Sequence, residues 1–142
     1  MAMGAMFSAL GVAASGMSTY KVWLDAIADN VANVSTVRGM DENAYESKYV
    51  VAQSRPGSGH GVRGQIGRGT SVSRIVENDP EGILAYQPDH PLANEEGLVR
   101  LPNVDLGEQM TNMIIAQRAY QVNTSVFERA RDSYLRALEI GK

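Results

Sequence analysis

Met6, Leu10, Ala13, Met17, Tyr20, Leu24, Ile27 and Val31 follow one another at spacings of 4, 3, 4, 3, 4, 3 and 4. An unbroken heptad stripe of this length predicts a long helix that buries one seam against a partner helix. The opposite positions carry Ser8, Ser15, Ser18, Lys21, Asp25 and Asp29, so the stripe is one-sided. A second seam ends the chain. Met113, Ala116, Tyr120, Asn123, Phe127, Ala130, Tyr134 and Ala137 step by 3, 4, 3, 4, 3, 4 and 3, with large and small residues alternating. That alternation lets the large side chains of a partner fit over the alanines. Arg118, Glu128, Arg129, Arg131, Asp132 and Arg136 lie between the seam positions and suit a polar face. The second helix is expected to start near Asp105, after Pro102 and with Glu108 three residues on as a capping arrangement, and to end at Gly141. Each helix would be roughly 50 Å long.

A chain of 142 residues is one domain by length. The expected fold is mainly α with a small β insert, its long N- and C-terminal helices paired as a coiled coil. The N-terminal helix takes residues 1–36, the β-rich insert 37–104 and the C-terminal helix 105–142. Two helices alone cannot bury everything apolar on them. Phe7, Trp23, Ile114, Ile115, Val122, Val126 and Leu135 fall off the seams. Apolar area of that extent calls for a partner. Gly4, Gly11 and Gly16 each cost about 1 kcal/mol against alanine inside a helix, so the N-terminal segment is expected to order on assembly.

The first charged residue is Lys21. The twenty residues before it resemble neither a membrane span, because they include three glycines, three serines and a threonine, nor a cleaved signal peptide, because no Lys or Arg leads them. The heptad register also runs on through Lys21 and Asp25. A membrane-anchored or secreted binding module using this uncharged segment is the alternative reading.

The first seam closes on Asn30 and Asn33, three residues apart. Asn33 can end a helix, since asparagine tolerates the left-handed conformation and Ser35, Thr36 and Gly39 favour turns. Equally, Asn30 or Asn33, with Asn123 inside the opposite seam, can act as polar register pins. A buried amide at a core position costs stability but selects one alignment.

Between the helices the periodicity becomes strand-like at 45–53, 70–76, 82–88 and 97–102, with a glycine-rich loop or tongue at 55–69. Charge is segregated there. Arg55, Arg63, Arg68 and Arg74 occur with no acidic residue among them; Glu77, Asp79, Glu81, Asp89, Glu95 and Glu96 follow with no basic residue until Arg100. Either the two arms of a solvated hairpin attract each other, or a basic patch meets the acidic patch of a neighbouring copy or related protein. Such pairs orient more than they bind.

No catalytic, cofactor or metal chemistry is expected. The stretch GHGVRG (59–64) has the G-x-G-x-x-G spacing, but QIGRGT follows it and makes a poor helix start. There are no cysteines and only two histidines, His60 and His90. A net charge of −3 gives no reason to expect nucleic acid, and no small-molecule substrate is indicated.

The segment SALGVAASGMSTYKVWLDAIADNVANVSTV, running into Asn30, Asn33 and Thr36, resembles the N-terminal signature of bacterial flagellar axial proteins. The second half is similar to the proximal-rod members of that family. The matching residues are Pro88, His90, Pro91, Ala93, Gly97, Val99, Pro102, Asn103 and Val104, then Glu108, Met110, Ala116, Arg118, Tyr120 and Asn123. The resemblance covers roughly residues 5 to 142. It implies a non-enzymatic rod subunit of the flagellar basal body, in the periplasmic space. It implies assembly with itself and other rod subunits, and export through the flagellar type III apparatus without a cleaved signal peptide. It further implies that the terminal helices polymerise into a drive shaft that transmits torque.

Overall fold

A computed structural model describes residues 2–57 and 67–140. Its element order is α1 (Ala2–Asn33), β1 (Ser47–Ser54), β2 (Thr70–Asn78), β3 (Ile83–Tyr86), β4 (Leu98–Leu101) and α2 (Leu106–Ile140). The chain is therefore mainly helical with a β-rich middle, and α1 and α2 pack on each other along their length. Asp105 caps α2: its Oδ1 accepts the Glu108 amide at 3.0 Å, which satisfies one of the free N–H groups of the first turn.

The two helices run antiparallel. Asn30 meets Gln109 at one end, Met17 meets Thr124 midway, and Phe7 packs against Tyr134 near the other end, with ring centroids 5.1 Å apart and the rings tilted by 58°. Ala13, Ile27 and Ala116 are buried in this seam. Gly16 is buried beneath the Asn123 carboxamide, which occupies the space a Cβ would need. Gly4 and Gly11 have nothing comparable near them.

The insert forms two small antiparallel sheets. In the first, β1 pairs with β2 from Ser47↔Asn78 to Ser54↔Thr70, with a shift between Val51 and Ala52 that leaves Ser73 as the extra residue of a bulge. This hairpin lies along α1 and is tied to it at both ends. Lys48 joins Asn30 and Asp29, while Thr70 joins Ser15 and Thr19. From Ser15 to Asn30 the helix rises roughly 22 Å, and from Lys48 to Ser54 the strand spans about 20 Å, so the two tethers match. The loop at 55–69 was expected to be uncommitted; its described base continues the ladder, with the Arg55 amide donating to Gly69 and the Arg68 amide to Arg55.

In the second sheet β3 pairs with β4 from Ile83↔Leu101 to Tyr86↔Leu98, and Arg38 bridges to Arg100 on the far edge. The Arg100 guanidinium holds the Glu81 and Met40 carbonyls, stitching the linker to this lobe. Gly97 turns the chain before β4 at φ +74°, where a Cβ would meet the Tyr86 ring and Pro88.

Candidate assembly surface

Two features were singled out from the sequence, a set of amides and a set of seam and off-seam apolar residues, and the structure places them at different depths. Asn30 is 1% exposed and makes every hydrogen bond a carboxamide can make. Its Nδ2 donates to the Lys48 carbonyl at 2.9 Å and to Gln109 Oε1 at 3.1 Å. Its Oδ1 accepts from the Lys48 amide at 2.8 Å and the Tyr45 hydroxyl at 3.1 Å. One side chain thus joins α1, the linker, β1 and α2. Burial raises the Tyr45 hydroxyl above its ordinary pKa, keeping it a donor. The Lys48 ammonium sits 2.8 Å from Asp29, and that hydrogen bond raises its pKa.

Asn33 does something else. It is half-exposed at the end of α1, where Nδ2 reaches the Asp29 carbonyl and Oδ1 accepts the Thr36 hydroxyl at 3.1 Å. Asn123 bonds back to the Ala119 carbonyl of its own helix and rests on Gly16. The three amides do not come together. Asn103 lies elsewhere again: its Nδ2 donates to Asp79, whose other oxygen accepts the Gly82 amide. The Asn103 bond, then the Gly82 amide, hold the Asp79 carboxyl below its ordinary pKa. Asp79 adopts φ +54°, a left-handed turn that aspartate tolerates.

Of the seam residues, Ala13, Ile27 and Ala116 are buried. Leu10, Met17, Tyr20, Leu24, Val31, Met113, Phe127, Ala130 and Tyr134 are half-buried, while Tyr120 lies at the exposed margin. The Met6 side chain lies outside what is described. Off the seam, Phe7, Ile114, Ile115, Val122, Val126 and Leu135 are exposed, and Trp23 is half-buried beside Tyr20. Of the charged insert residues, Arg55, Arg68, Arg74, Glu77 and Glu81 are exposed, and Arg63 lies outside the described residues. Among the described residues no ion pair joins the arginine block to the acidic block.

Sequence reasoning missed Gln109, which is 1% exposed and completes the Asn30 junction. Its signal was present: one heptad step of four back from Met113 lands on it. The tethers Ser15 and Thr19 were also missed as contacts, because small polar residues opposite a seam read as solvated.

The largest feature of the surface is how much of it there is. The accessible area is 9678 Å², against about 7,100 Å² for a compact monomer of 15.3 kDa by ordinary surface scaling. Among the described residues the buried aliphatic side chains are Ala13, Ala26, Ile27, Ala44, Val99 and Ala116, and Ile27 and Val99 alone of these exceed alanine in size. Exposed Leu106, Met110, Ile114, Ile115, Val122 and Val126 run along α2. Among the described residues there is no group of His, Asp and Glu that could hold a metal, and no helix is long and apolar enough to cross a membrane.

Comparison with known proteins gives two matching family models. "Flagella basal body rod protein" matches residues 10–38, and "Flagellar basal body rod FlgEFG protein C-terminal" matches residues 95–140. Among curated proteins, the chain is 34% identical to the flagellar basal-body rod protein FlgC of Bacillus subtilis, over 96% of this chain and 98% of that one. It is 35% identical to FlgC of Yersinia enterocolitica over 92% and 94%, and 32% identical to FlgC of Salmonella typhimurium over 97% and 99%.

Proposed function

The chain belongs to the flagellar basal-body rod protein family, and from that premise we propose that it polymerises through its terminal helices as an FlgC-type subunit of the proximal rod. It is a structural subunit of the basal-body rod. The membrane-anchored or secreted binding module finds no support. In this reading the chain is not an enzyme and carries no cofactor. It leaves the cytoplasm through the flagellar type III apparatus without a cleaved signal, and stacks in the periplasmic space with itself and the other rod subunits. The polymer then carries motor torque as a shaft.

One observation supports this most directly: α2 buries a single seam and leaves a second apolar row, including Ile114 and Ile115 at 53% and 50% exposed, facing outward. In the polymer that row is covered by neighbours. The seam residues from Leu10 to Val31 and from Met113 to Tyr134 hold the helix pair together, and Asn30 sets its alignment. The exposed Arg55, Arg68 and Arg74 are available to meet Glu77 and Glu81 of a neighbouring subunit.

The test is Ile114→Asp with Ile115→Asp in the bacterium that encodes the protein. Exposed substitutions of this kind change monomer stability by no more than about 0.5 kcal/mol each. The purified variant should therefore unfold like the parent, while cells lose rods and motility. Normal motility from the double variant would refute the assembly role of this face.

A further inference from the structure

The face of α2 opposite its seam combines charge and apolar surface in a way the pairing with α1 does not use. Arg118, Val122, Ser125 and Arg129 fall on one side of the helix, since eleven residues are about three turns. Val122 and Val126 are 62% and 46% exposed, and with the two arginines they line a shallow groove of about 610 Å³. Arg118 is the lone charged residue between Gln109 and Phe127. Among the described residues neither Arg118 nor Arg129 has a carboxylate within ion-pair distance.

The opposite character appears on the β3–β4 lobe. Residues 77–96 carry six carboxylates and no Lys or Arg. The lobe also exposes Ile83, Leu84 and Tyr86 at 51%, 54% and 72%. A two-stranded sheet with exposed apolar residues on both faces is incomplete by itself.

These two surfaces of one molecule do not reach each other. The Arg38–Arg100 bridge ties the lobe to the linker after α1, the Asn103–Asp79 bond holds it at the residues leading into α2, and neither β3 nor β4 packs along α2. Arg118 lies roughly 18 Å further along the helix and Arg129 roughly 35 Å. We propose that the Arg118–Arg129 groove receives the acidic lobe, residues 81–96, of a second copy of this chain. Val122 and Val126 take the apolar side chains of β3, and the arginines select and orient the carboxylates around them. Because groove and lobe are different patches, the contact is heterologous and repeats as an open filament rather than closing as a dimer. The inference rests on the rod-subunit reading and adds which surfaces meet.

The test is performed on assembled rods from the bacterium that encodes the protein, with a benzophenone amino acid in place of Ser125. Illumination should give an adduct between position 125 and a peptide within 81–96 of a second copy. Adding Arg118→Glu and Arg129→Glu should cut its yield at least tenfold, and Glu95→Arg with Glu96→Arg in the same chain should restore it. An adduct to another protein or another segment, no adduct in intact rods, or no restoration by the charge swap overturns this contact and leaves the rod reading standing. Absence of the parent chain from rods overturns both.

Discussion

Asn30 offers the sharpest test of how this subunit holds its register. Asn30→Ala strands three groups at once: the Lys48 amide, the Lys48 carbonyl and Gln109 Oε1. The Tyr45 hydroxyl, only partly buried, can turn to water. An unsatisfied buried polar group costs about 1–3 kcal/mol, and water entering the vacated space relieves part of it, so the expected loss is about 3–5 kcal/mol. Against a total stability of about 5–15 kcal/mol that is a large share. Thermal and urea unfolding of the purified subunit, followed by circular dichroism, should show it as a fall of about 10 °C or more. Asn33→Ala is the control, with a loss of about 0.5–1 kcal/mol from half-exposed bonds. Asn30→Asp sharpens the point. The introduced carboxyl is buried and faces two acceptor oxygens, which lifts its folded pKa above its unfolded value. Its favourable contribution is therefore fully present below the unfolded value and is lost as pH rises through the folded one. That variant should recover relative to the parent on acidification. If Asn30→Ala loses less than about 1 kcal/mol, or if Asn30→Asp shows no such pH dependence, the junction is not what aligns the helices.

Two further outcomes follow from local geometry. Gly11→Ala meets open space and should stabilise α1 by about 0.5–1 kcal/mol, whereas Gly16→Ala must push the Asn123 carboxamide aside and break its bond to the Ala119 carbonyl, which offsets about 0.5–1.5 kcal/mol of the same gain. A Gly16→Ala variant stabilised as much as Gly11→Ala in unfolding curves would contradict the close approach at Gly16. Asn103→Ala removes the principal cause of the lowered Asp79 pKa, so carboxyl NMR titration should find Asp79 moved back up. In the parent, the stabilisation from Asp79 is present above its unfolded pKa and is lost as pH falls through the lowered folded value, and Asn103→Ala should shrink that acid-sensitive part. An unmoved Asp79 titration refutes the coupling.

How much of this was legible depended on whether the feature repeats. The helices announce themselves through a period sustained over many turns, and the capping aspartate, Asp105, through a local spacing. Strand positions were visible because alternation needs only a few residues. The docking of the β1–β2 hairpin was not. Its tethers are Ser15, Thr19 and Thr70, which carry no pattern, and their contacts span more than fifty residues. The role of Asn30 was half legible. An amide at a seam position flagged a polar device, but its partners Tyr45 and Lys48 lie in a stretch whose strand-like alternation says nothing about docking on α1. Asn123 shows the limit most clearly: a seam amide suggested a cross-helix pin, whereas the side chain satisfies itself on Ala119 and serves as the filler over Gly16.

The distribution of these contacts gives the helix pair a direction. At the closed end, where the insert joins both helices, Asn30, Gln109, Lys48 and Tyr45 are joined by directional bonds, and Ile27, one turn before Asn30, is buried. Toward the open end the seam offers Gly16 under Asn123, then Ala13, and finally Phe7 against Tyr134, with Phe7 itself 55% exposed. Burial thins along the pair, while exposed apolar residues run the whole length of α2, from Leu106 and Met110 to Leu138 and Ile140. A subunit built this way carries its own register but not its own full complement of buried surface. At the open end the seam is built from small residues, Ala13 and Gly16, so the pair itself supplies little burial there and a covering neighbour would add most of it.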